Sequence, residues 1–108
     1  MNDEQLAKRA QEVNDAGIAR HGAATWGRMM AALGSAGPSP QQVAATLQAP
    51  DAVSQFTHAA KECLLREVQN GDREAERAYD TIREAERSAY RNADASAYRK
   101  LQPNGERR

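Results

Sequence analysis

The chain has 108 residues with 15 Lys plus Arg against 15 Asp plus Glu. That length suits one domain, and the zero net charge excludes a uniformly basic nucleic-acid binder and an acidic solubilising chain. Alanine supplies 22 residues, while Ile, Leu, Val and Phe together supply only 13, so the composition describes a helical protein with a thin core.

Five helical blocks follow in chain order. The first starts at Asn2 or Asp3, either of which can cap, and Leu6, Ala10, Val13 and Gly17 recur at helical spacing. It ends near His21-Gly22, where glycine can take a positive φ. His21 reads as a cation at a helix C-terminus, favoured by the helix dipole.

The second block carries the cleanest stripe, with Trp26, Met29, Met30 and Leu33 at i, i+3, i+4 and i+7. Gly34, Gly37 and Pro38 end it. The stripe admits two readings, core packing or a soft docking surface for a partner. In the first reading, Trp26 and Leu33 pack against the fourth block near Phe56 and Leu64.

The third block has the strongest start signal. Ser39 is the candidate N-cap, Pro40 takes the first helical position and Gln42 completes a capping box. Val43 and Leu47 make its short apolar face, and Pro50 ends it.

The fourth block runs from Asp51 to about Asn70. Val53, Phe56, Ala60, Cys63, Leu64 and Val68 trace one face, with Glu67 the charged exception on that face. Cys63, the only cysteine, lies on this stripe and reads as a small core residue, which leaves no internal disulfide and no cysteine-based zinc cluster. His58 falls on the polar side.

The fifth block, Asp72 to about Leu101, differs in kind. Its stripe is Ala75, Ala78, Tyr79, Ile82, Ala85, Ala89, Ala93, Ala97 and Leu101, set among Arg and Glu. Glu74 with Arg77, Asp80 with Arg83, and Glu84 with Arg87 are placed to pair three apart. REAER occurs at 73–77 and 83–87, and SAYR at 88–91 and 96–99. Periods of ten and eight turn the copies to different sides of a helix, so the segment is low-complexity helix rather than a solenoid. Residues 103–108 read as a frayed tail.

Charge is unevenly spread in this half. Residues 51–86 hold nine acidic and five basic side chains, and residues 87–108 hold two and six. Two such helices laid antiparallel would match charge, which predicts a homodimer through the C-terminal helix. The mixture of Tyr90, Arg91, Tyr98 and Arg99 could also bind nucleic acid by phosphate neutralisation and base stacking. The neutral chain favours a solvated helix end instead, and nucleic acid is not the expected partner.

Enzymatic constellations are not recognised. Glu62 and Glu67 are five apart and do not share a helix face, and no phosphate-cradling glycine loop is present. No catalytic, metal or cofactor site is expected. The opening MNDEQLAKRA is charged and polar, which gives no secretory signal and points to a cytoplasmic location.

The order ARHGAATWGRMMAAL, then GPSPQQVAATL, then APDAVSQF, then an Ala/Arg/Glu-rich helix resembles a helical region of scaffolding and head-associated proteins of tailed phages and prophages. The likeness covers roughly residues 19–90 and consists of packing positions. It implies a non-enzymatic phage-type protein that works through protein–protein contacts, with a role in head assembly. The alternative is a small phage-type inhibitor or adaptor that binds and blocks a host complex such as a defence nuclease.

The expectation for fold is all-α: one helical domain over 1–102, with a bundle of short helices over 1–70 and one long helix over 72–101. Candidate partner-binding residues are Trp26, Met29, Met30, Tyr79, Ile82, Tyr90, Arg91, Tyr98 and Arg99.

Overall fold

The structure is a computed structural model that describes the backbone of residues 2–101 and the side chains of residues 2–91. The described residues form five helices: α1 (Asp3–His21), α2 (Ala23–Ser35), α3 (Pro40–Gln48), α4 (Ala52–Gln69) and α5 (Arg73–Leu101). The fold is all-α, and no strand occurs among the described residues. The segment 103–108, read as a frayed tail, lies outside them.

Local chemistry sets the helix ends. Asn2 Oδ1 accepts from the Gln5 backbone N–H at 2.8 Å, and Gln5 Oε1 accepts from the Asn2 N–H at 3.0 Å. Ser39 and Gln42 make the same reciprocal pair at the start of α3, with Pro40 at the first position. Asp72 Oδ1 accepts from the Ala75 N–H at 3.0 Å and caps α5. Between α1 and α2 there is a single hinge residue, Gly22, at φ 89 and ψ 153. That region is open essentially to glycine alone, so the chain turns from one helix to the next in one step.

The core is as thin as the composition implies. Its members are Val13 from α1, Trp26, Met29 and Ala32 from α2, Leu47 from α3, Ala52, Ala60, Cys63 and Leu64 from α4, and Ala75, Ala78 and Ile82 from α5. Five of these twelve are alanines, which fill little volume and let helices approach closely. Its largest fully buried side chains are Met29, Leu64 and Ile82, one from each of α2, α4 and α5. Each contributes about 1.5–3 kcal/mol by burial.

Polar ties supplement this core. Arg28 of α2 reaches Glu67, Asp72 at 3.2 Å and Glu74 at 3.1 Å, so one guanidinium joins α2 to the α4–α5 corner. Glu67, the charged exception on the apolar stripe of α4, is there to meet Arg28. Arg9 of α1 donates to the carbonyls of Leu47 at 2.7 Å and Ala49 at 3.0 Å, which closes the C-terminal end of α3. Lys61 pairs with Glu86 at 2.8 Å, across α4 and α5.

The long helix is divided. Ala75, Ala78 and Ile82 are buried, Ala85 and Ser88 are half-buried, and Ala89, Tyr90 and Arg91 are exposed. The backbone continues in α-helix to Leu101. Only one of the three expected charge pairs takes the expected form, Glu84 with Arg87 at 3.0 Å. Glu74 turns to Arg28, and the Arg83 guanidinium lies 5.9 Å from the Tyr79 ring centroid.

Candidate functional site

The faces of α1, α2, α3 and α4 do not close fully on one another. They leave a cavity of about 520 Å³ that opens to the surface as a groove. Its α1 side is Ala10, Val13 and Asn14, and its α2 side is Trp26, Met30, Leu33 and Gly34. Gln42, Val43, Thr46 and Leu47 come from α3, and Gln55, Phe56 and Ala59 from α4. The sequence placed Val43 and Leu47, and Phe56, on two separate stripes; the tertiary fold turns both stripes onto one groove.

Among the described residues, no charged side chain lines the groove. Its polar side chains already have partners within the chain. Asn14 Oδ1 accepts from Trp26 Nε1 at 2.9 Å, and Gln42 Oε1 accepts from the Ser39 N–H at 2.9 Å. Thr46 donates to the Gln42 carbonyl at 3.0 Å, and Gln55 Nε2 donates to Asp51 Oδ1 at 2.8 Å. An occupant therefore meets mainly aliphatic, aromatic and thioether surface. The volume lies within the range of ordinary binding pockets.

The candidate partner-binding residues divide by position. Trp26 is 2% exposed and Met29 and Ile82 are 0% exposed, so these three pack inside the chain and offer almost no surface. Trp26 still forms part of the groove wall, and Met30 is half-buried beside it. Leu33, expected in the core against α4, is only half-buried and stands on the groove wall. Tyr79 is half-buried against the core. Tyr90 is 71% exposed. Arg91 is exposed and pairs with Glu84 at 3.5 Å. Tyr98 and Arg99 belong to the backbone of α5, and their side chains lie outside the described residues.

His21 departs from its expected role. It does not stand in solvent as a helix-end cation but is buried at 8% exposure. Its ring stacks on Trp26 with centroids 6.1 Å apart and planes 2° from parallel. Thr57 Oγ1 donates to the Val53 carbonyl at 2.7 Å, so it must accept from His21 Nε2–H at 3.2 Å. That leaves Nδ1 a buried lone pair with no hydrogen-bond partner among the described residues. Burial, and then the charge of Arg20, push the imidazole below its ordinary pKa, with Glu86 opposing. The helix-dipole argument weighs only the local chain; here α4 covers the ring. His58, by contrast, is exposed as its position on the polar side of α4 predicts.

No helix among the described residues is long and apolar enough to cross a membrane. No family model, no curated protein and no solved structure matches this chain.

Proposed function

We propose that the chain is a non-enzymatic protein–protein interaction module of phage or prophage type, and that it takes apolar side chains of a partner into the α1–α4 groove. The groove carries this reading. It is open and, among the described residues, uncharged, and its lining of Met30, Leu33, Val43 and Phe56 is the adaptable apolar surface that protein partners use. Such groups bind; they do not transfer protons near neutral pH. The phage assignment is supported by the sequence resemblance over residues 19–90, and head assembly is the role that resemblance favours.

A comparative capture experiment tests the proposal. Wild-type chain and Val43→Arg, immobilised in equal amounts, are exposed to lysate from phage-infected cells, after equal melting temperatures have been verified. The proposal expects a phage head protein to be retained by wild type and lost by the variant. Retention of a host complex, lost in the same way, would replace the assembly role with that of an inhibitor or adaptor. Identical retention by both proteins would remove the groove from the interaction.

A further inference from the structure

The groove and the C-terminal part of α5 belong to the same chain, and the body that holds the groove differs in charge from that end. Residues 1–86, which hold the bundle, carry 13 acidic and nine basic side chains; residues 87–108 carry two and six. A net −4 body is thus joined to a net +4 end. As far as Leu101 the backbone does not fold back on its own body, because α5 is one continuous helix from Arg73 to Leu101. Past Ser88 that helix spans about 21 Å, twice the width of a helix. An isolated helical segment of this length is marginal in water without a packing surface.

The spacing of this segment supplies an apolar face. Tyr90, Ala93, Ala97 and Leu101 fall at i, i+3, i+7 and i+11, one side of a helix. Arg87 and Arg91 lie near this stripe, and the described part begins it with Tyr90 at 71% exposure. Pairing α5 with another α5 along its length offers less apolar surface. The first half has already buried Ala75, Ala78 and Ile82 in its own bundle, and Glu76, Asp80, Arg83 and Glu84 remain outside.

We infer that the C-terminal part of α5 docks in the α1–α4 groove of a second copy of this chain, reciprocally, so that two copies exchange helix ends. The inference rests on the groove being the interaction site. Apolar contact comes from the Tyr90 stripe against Met30, Val43 and Phe56, and charge opposition between body and end draws the copies together. Because each copy gives one end and one groove, the dimer holds two equivalent interfaces.

The test uses the whole chain and complementary variants. Tyr90→Glu damages the end, and Val43→Arg damages the groove. Gln55→Arg is a second groove variant at an exposed position, for use if Val43→Arg melts early. Sedimentation is followed from about 1 μM to about 1 mM protein, and salt from about 0.05 M to about 0.5 M. Wild type is expected to dimerise with an affinity that falls roughly tenfold or more across that salt range. Each variant alone is expected to be monomeric. An equimolar mixture of the two should recover a heterodimer, because one intact end then meets one intact groove. Groove variants that dimerise like wild type, while Tyr90→Glu does not, would place the second copy elsewhere and overturn the inference. A wild type that stays monomeric throughout would also overturn it, and the capture experiment with a foreign partner would still decide the groove reading independently.

Discussion

Gly17 of α1 lies directly against the indole of Trp26, so close that a β-carbon at position 17 would stand 2.3 Å from the ring. The close approach of α1 and α2 depends on that missing side chain. Gly17→Ala raises helix propensity by up to about 1 kcal/mol. It also drives a methyl group into a ring held by the stacked His21 and by the Asn14 hydrogen bond. Overpacking of this kind typically costs about 1–3 kcal/mol. The steric loss should exceed the helical gain, and the melting temperature should fall. An unchanged or raised melting temperature would show that Trp26 has room to move.

How much of this could be read from the sequence depends on how local each feature is. The caps at Asn2 and Ser39, and the break at Gly22, are settled within a few residues, and the chain order displayed them. Gly17 was visible on the α1 stripe, but not that an indole would cover it, since the contact joins two helices. Glu67 stood out as a charge on an apolar face, which was a signal; its partner Arg28 lies 39 positions earlier. The groove left no signal of its own. Four faces of modest apolarity converge on it, and the angles between helices decide whether such faces close or gape. His21 was misread for the same reason: Thr57 and the body of α4 bury it, and neither is near in sequence.

Trp26 itself carries a large share of the packing. It meets Gly17, stacks on His21, and walls the groove with Phe56. Trp26→Ala removes all three contacts and should cost about 3–5 kcal/mol. A denaturant titration measures this directly. A loss under about 1 kcal/mol would mean that the site collapses around the gap.

Acid should weaken the fold through His21. The folded protein holds the imidazole below its ordinary pKa near 6.5, whereas the unfolded chain restores that value. Above 6.5 neither state binds the proton, and stability does not depend on this group. Below 6.5 the unfolded chain takes up a proton that the fold resists, so stability falls as pH falls until the folded pKa is reached. Arg20 adds repulsion to the protonated ring and Glu86 offsets part of it. His21→Phe keeps an aromatic ring against Trp26 and removes the buried lone pair; Thr57 keeps its bond to the Val53 carbonyl. Its melting temperature should drop less than that of wild type between pH 6.5 and about 5. Parallel pH profiles for the two proteins would show that His21 does not set this slope.

Arg28 should matter more than a surface ion pair. Its side chain is 17% exposed, and it engages Glu67, Asp72 and Glu74 at once. Glu74 is 77% exposed, so water screens that contact and little stability comes from it. Glu67 is 33% exposed and supplies the stronger partner. Arg28→Met preserves the apolar stem and removes the charge, which leaves Glu67 without its cation beside the core. A loss of about 2 kcal/mol is expected, in the range for hydrogen bonds to charged groups. Arg28→Lys should recover only part of it, because one ammonium cannot reproduce the fork that spans α2 and the α4–α5 corner. Asp72 links this contact to pH. Its carboxyl is held below the usual carboxylate range by the Ala75 N–H first and by Arg28 as well. Stability from that carboxylate is present above its unfolded pKa and is lost as pH falls through the folded value. The Arg28→Met protein should therefore lose less stability in strong acid than wild type does. An equal acid loss in both would assign the Asp72 effect to the helix cap alone.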